Sequence, residues 1–208
     1  VMLYSSRRYG KTGLIHHAFH ALAQDRGSRT VFADIYAARD VHDFNTILVN
    51  AVHESLNPTP KQFLKNVGTW FSALRPVVSY DELTGKPSIA LEREDAKQEA
   101  VTLRKIFGFL NGQPRKIHLA IDEFQQVTTF PKVRMDALLR TELQRSKNVY
   151  CIFSGSQRHV LLDLFNNAAN PFYGSADQLE LHRIDRDVYA AFAVRLMKKH
   201  RRKLALED

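Results

Sequence analysis

The stretch that most limits what this chain can fold into stands at its start: Val1-Met-Leu-Tyr-Ser-Ser-Arg-Arg-Tyr-Gly-Lys-Thr-Gly-Leu-Ile15. A short apolar run feeds a loop ending in Gly10-Lys11-Thr12, and a helical pattern follows. Strand, loop and helix in that order form the context that a phosphate-binding loop requires. At a helix N-terminus the first N–H groups lack intrahelical partners and the dipole is positive. The amides of Arg8, Tyr9, Gly10, Lys11, Thr12 and Gly13 are therefore expected to wrap a β-phosphate. Gly10 lets the backbone turn toward the anion with no Cβ in the way. Lys11 is expected to reach the β/γ oxygens as a point charge, and the Thr12 hydroxyl to ligate Mg²⁺ held by the same phosphates. The full pattern GxxxxGK[ST] begins with Gly, where this chain has Ser5; Ser is small enough for the loop to close. The expected ligand is a nucleoside triphosphate, and the alternative is a helix start with no ligand.

A second segment supports the first. Lys116-Ile-His-Leu-Ala-Ile-Asp-Glu-Phe124 reads as an apolar strand ending in adjacent acids, at the sheet edge where ligands of open α/β folds sit. Side chains alternate along a strand, so the two carboxylates take different tasks. Asp122 is expected to hold Mg²⁺, directly or through water, and Glu123 to orient and polarise the attacking water. A third strand, Asn148-Val-Tyr-Cys-Ile-Phe-Ser154, runs into Gly155-Ser-Gln-Arg158. If it lies between the other two, Ser154, Ser156 and Gln157 are candidates to sense the γ-phosphate; otherwise they form a Ser/Gly turn that caps the next helix.

Between these segments the periodicity predicts a first helix through Leu14, Ala18, Ala21 and Leu22 that stops at Gly27. A buried strand is expected over Thr30–Tyr36, whose Asp34 either approaches the Mg²⁺ shell or caps a loop. Helices are predicted from about Asp43 to Leu56 and Pro60 to Leu74, broken by Asn57-Pro-Thr-Pro60. The stripe of Phe63, Val67, Trp70, Phe71 and Leu74 on the latter reads as core or partner-facing surface. Pro76–Tyr80 and Ser88–Leu91 around a Gly-containing turn suggest a β-hairpin, part of an insertion over about 57–92. Helical spacing resumes from Glu92 to Leu110, and a last strand, Gln178–Ile184, precedes a helix from about Asp185.

Other classes are set aside by what the chain lacks. The nine histidines form no HExxH pattern, the single Cys151 excludes a cysteine-based zinc site, and Ser154-Gly-Ser156 is not a nucleophile elbow. One cysteine and no signal peptide or long apolar span point to a cytoplasmic location and no membrane. A net charge of +8 and the run Lys198-Lys-His-Arg-Arg-Lys203 permit attraction to DNA, although such runs are commonly a solvated helix face.

Taken together, the chain resembles the prokaryotic archaeal-type ATPases, which are related to the AAA+ and STAND groups of P-loop NTPases. The likeness rests on Ser5-Ser-Arg-Arg-Tyr-Gly-Lys-Thr12, Leu119-Ala-Ile-Asp-Glu-Phe124, Phe153-Ser-Gly-Ser-Gln157 and Asn170-Pro-Phe-Tyr-Gly174, with the hairpin segments between them. It implies a three-layer α/β sandwich, a parallel sheet of order 5-1-4-3-2 with a hairpin inserted between strands 2 and 3, and Mg-ATP as ligand. It also implies a switch or remodelling ATPase that works as a homo-oligomer or with a partner protein. Relatives often carry Arg soon after the Pro-Phe/Leu-Tyr-Gly segment, where this chain has Ser175, which leaves Arg158 as the arginine candidate. Residues 1–208 then form the core of a longer protein, without the segment before strand one and the helical lid and winged-helix-like region after the core. The competing function is a nucleotide-dependent DNA-binding module with slow or no hydrolysis. A small-molecule kinase fits less well, since a water-polarising Glu beside the metal acid suits hydrolysis.

Overall fold

Short, near-continuous apolar runs alternate along the chain with amphipathic helical segments, and this alternation builds a parallel sheet covered on both faces. A computed structural model describes residues 1–56, 76–80, 87–131 and 133–199. The strands are β1 (Met2–Tyr4), β2 (Ser28–Asp34), β3 (Pro76–Tyr80), β4 (Pro87–Leu91), β5 (Lys116–Asp122), β6 (Val149–Gly155) and β7 (Gln178–Glu180). The helices are α1 (Lys11–Leu22), α2 (Val41–Leu56), α3 (Ala96–Asn111), α4 (Met135–Arg145), α5 (Arg158–Asn166) and α6 (Arg186–Lys199), with a 3₁₀ helix over Phe124–Thr129.

Five strands pair in parallel in the order β2-β5-β6-β1-β7, while β3 and β4 form a separate antiparallel pair. The expected order 5-1-4-3-2 numbered only the strands of one sheet. Along the whole chain the hairpin strands take the numbers 3 and 4, so the sheet order differs from that expectation in its labels. Asn50 of α2 ties the hairpin down, donating to the Ile89 carbonyl and accepting from its N–H, each at 2.8 Å. The expected helix Pro60–Leu74 with its stripe, the hairpin turn 81–86 and the basic residues 200–203 lie outside the described residues.

Strand alternation divides the core between two faces. Leu3 and Ala120 pack with Ile15 and Phe19 of α1, while Met2, Tyr4, Leu119 and Ile121 join the larger cluster. That cluster centres on Phe124, Phe153, Phe165 and Phe172, whose ring centroids lie 4.5 to 6.0 Å apart. Aromatic rings at these distances and tilts add to what area burial alone supplies. Phe124 follows the acidic pair directly, so the end of β5 is fixed by core packing.

Candidate functional site

Register places the loop and the acids together. Tyr4, the last residue of β1, pairs with Gly155 at the end of β6, and Ile121, just before Asp122, pairs with Phe153. The loop after β1 and the acids at the end of β5 therefore flank the tip of β6. Arg8 and Gly10 both take left-handed backbone, with φ of 66° and 85°, which turns the loop into α1. Gly10 caps α1 with no side-chain bond, and the first turn carries no acid, so neither a cap nor a carboxylate competes with an anion there.

Lys11 is buried, and its Nζ donates to the Ser6 carbonyl at 3.1 Å, the Ser5 carbonyl at 3.3 Å and Ser5 Oγ at 3.4 Å. Burial holds its pKa below the usual lysine value; nearby Glu123 and Asp122 oppose that shift, and Arg7 adds to it. The exposed Thr12 donates its hydroxyl to Asp122 Oδ2 at 2.7 Å. The other Asp122 oxygen accepts from Ser154 Oγ and, at 3.0 Å, from the Glu123 N–H. Glu123 is half-buried with φ of 57°, and its Oε2 accepts from Gln125 Nε2 and, at 3.0 Å, from Ser156 Oγ.

Arg7, Arg8, Gly10, Lys11, Thr12, Gly13, Glu123 and Ser156 line a cavity of about 400 Å³, within the range of small-molecule sites. A larger apolar cavity of about 680 Å³ runs along α6 beside Val188, Tyr189 and Phe192. It has no carboxylate or hydroxyl cluster, whereas the smaller one is lined by the Glu123 carboxylate, the Thr12 and Ser156 hydroxyls and Lys11. Among the described residues no group of three or more His, Cys, Asp or Glu could hold a metal ion by itself. A cation beside Thr12 and Asp122 would therefore take its remaining oxygens from phosphates and water, as Mg²⁺ commonly does.

The structure brings Lys11, Thr12, Asp122 and Glu123 together as the sequence suggests. Several other candidates fall elsewhere. Ser154 is fully buried under Asp122 and does not line the cavity, so it anchors the carboxylate and is not placed to sense a phosphate. Gln157 is exposed at the start of α5, outside the lining. Arg158 bonds Glu180 at 3.2 Å and lies over the Tyr4 ring, so its guanidinium is engaged beside β7. Ser5 is buried and bound to Lys11, and Tyr9 accepts a bond from Arg183 at 2.9 Å; neither side chain lines the cavity. Asp34 accepts from the Tyr36 N–H at 2.9 Å, which is the loop-capping alternative. The sequence carries no sign of the Tyr9–Arg183 contact, and its only signal for Gln125 is a place two residues after Glu123.

No family model matches the chain, and no curated protein is detectably similar. Solved structures are similar in fold. The Walker-type ATPase of Pyrococcus abyssi is 18% identical with a TM-score of 0.60, over 99% of this chain and 55% of that one. The fold is shared with that Walker-type ATPase. The ORC2 protein of Aeropyrum pernix, in its ADPNP–ADP complexes, is 12% identical with a TM-score of 0.58, over 95% of this chain and 45% of that one. The ORC1 protein of the same organism, in complex with DNA, is 12% identical with a TM-score of 0.57, over 94% and 43%. The chain thus spans about half the length of the solved chains it matches.

Proposed function

We propose that this chain binds Mg-ATP and hydrolyses it, serving as the core domain of an AAA+/STAND-like switch or remodelling ATPase. The observation that carries the reading is the Thr12–Asp122 bond of 2.7 Å, set between buried Lys11 and Glu123 at a helix N-terminus with no side-chain cap. On binding, the phosphates lie against the first amides of α1, and Lys11 exchanges the Ser5 and Ser6 carbonyls for β/γ oxygens. Thr12 and Asp122 supply hard oxygen donors of the kind Mg²⁺ prefers, so the residues fit that ion. When bound, the ion would neutralise charge on the phosphate oxygens. Glu123 accepts a proton from a water whose oxygen attacks the γ-phosphorus while the bond to the bridging oxygen of ADP breaks. Arg7 and Arg8 border the cavity and balance charge there.

Residues 1–208 are read as the P-loop core of a longer, cytoplasmic protein, with an insertion over about 57–92 and a homo-oligomeric or heterologous partner. Among the described residues no helix is long and apolar enough to cross a membrane. Phosphate release from ATP with and without Mg²⁺ tests the reading; no Mg²⁺-dependent release by the full-length protein would overturn it. Three observations favour a second reading, a nucleotide-dependent DNA binder. The net charge is +8, α6 carries Arg186, Arg195, Lys198 and Lys199, and a protein of similar fold was solved with DNA. DNA retention that falls steeply with salt, without turnover, would support it.

A further inference from the structure

We infer that Gln125 is a positioning residue for Glu123, fixing one carboxylate oxygen together with Ser156 so that the other is presented to the cavity. This rests on the reading of Glu123 as the group that orients water. Gln125 is buried, one residue into the 3₁₀ helix that follows the acidic pair. Its Nε2 and the Ser156 hydroxyl both donate to Oε2 of Glu123. Oε1 of Glu123 accepts no hydrogen bond from the described residues, and Glu123 lines the cavity. The carboxylate is thus held at one oxygen and open at the other, which is the arrangement a water-orienting acid needs.

Two further features show that this hold is built for. The carboxylate accepts only donors, so the N–H end of the Gln125 amide must face it, and the amide oxygen is then buried with no hydrogen-bond partner. Buried acceptors left unpaired are rare because each sacrifices hydration, and core packing alone would favour an apolar side chain here. Space for that oxygen comes from Gly155. A Cβ at Gly155 would lie 2.1 Å from Gln125 Oε1 and 2.9 Å from Leu161 Cδ1, although the Gly155 backbone has no positive φ. The glycine in Ser154-Gly-Ser156 therefore makes room for the carboxamide. The left-handed backbone of Glu123, uncommon for a non-glycine residue, completes the pose.

The test is a double-mutant cycle in the full-length protein, read by steady-state turnover, Mg-ATP titration and thermal melting. Gln125→Met keeps volume and removes the donor. It should lower kcat about tenfold to a hundredfold while leaving Mg-ATP affinity and the melting midpoint at wild-type values. In a Glu123→Gln background the same change should cost nothing further, because Gln125 acts through Glu123. Ser156→Ala, on a half-buried side chain, should behave alike and serves if Gln125→Met does not fold. Wild-type kcat in Gln125→Met or Ser156→Ala, with Glu123→Gln impaired, overturns this inference alone. So does an additive loss in the Glu123→Gln background, or a joint fall of affinity and melting midpoint, since each marks a merely structural role. Wild-type turnover in Glu123→Gln overturns both this inference and the reading it rests on.

Discussion

Replacing Lys11 by Met keeps the buried stem and removes only the ammonium, so it isolates the loop's one buried cation. In the structure Nζ makes bonds of 3.1, 3.3 and 3.4 Å to Ser6 and Ser5, all with neutral acceptors and none short. With a triphosphate bound, those are exchanged for bonds to anionic oxygens, which are worth about 1.5–3 kcal/mol each against about 1 kcal/mol for neutral ones. Two such exchanges give a net loss of about 1–4 kcal/mol in the mutant, or roughly 5- to 700-fold in affinity. Because burial lowers the Lys11 pKa, wild-type affinity should also begin to fall at a less alkaline pH than an ordinary lysine would allow, as the ammonium loses its proton. Lys11→Met should lack that alkaline limb. Calorimetric titration with Mg-ATP at neutral and alkaline pH reads both effects. Affinity in Lys11→Met equal to wild type would refute the reasoning, because the amides of α1 alone would then account for binding.

Further expectations concern the acid under Thr12 and the far end of the sheet. Asp122→Asn removes the charge that accepts from Thr12, Ser154 and the Glu123 N–H, and leaves an NH₂ facing a donor. It should weaken ATP binding more with Mg²⁺ than without, and cost about 1–3 kcal/mol of stability, read by titration and urea melting. His118, stacked on Tyr150, has a pKa lowered from about 6.5, mainly by burial, with Lys116 adding to the shift and Asp25 opposing it. The unfolded chain therefore takes up this proton first as pH falls, so stability is full above about 6.5, declines below it and levels off beneath the folded-state value. Urea melts at falling pH should show that decline, and His118→Gln should flatten it.

The sequence made the strand ends of the site legible because each carries a change of chemistry: apolar β1 into Gly10-Lys11-Thr12, and apolar β5 into Asp122-Glu123. Boundaries set by side-chain bonds were harder to see. β2 begins at Ser28, two residues before the expected Thr30, because Ser28 Oγ is tied to Asp25 at 2.7 Å. It ends at Asp34 because that side chain captures the Tyr36 N–H. The roles of Ser154 and Arg158 depended on which neighbour each would meet. Ser154 sits under an acid 32 residues away, and Arg158 meets Glu180 from β7. Neither partner has a local signature. Gln125 was hidden for the same reason, since its value shows only once Gly155 and Ser156 stand beside Glu123.

Hydrolysis of ATP at this site, with Glu123 orienting the water, stands or falls on Glu123→Gln. The change keeps size and hydrogen bonding and removes the basic carboxylate. Turnover and Mg-ATP affinity should be measured side by side on the full-length protein. Affinity should be unchanged and turnover lower by about 10²- to 10⁴-fold, the usual contribution of a general base. Hydrolysis at the wild-type rate in Glu123→Gln would contradict that role.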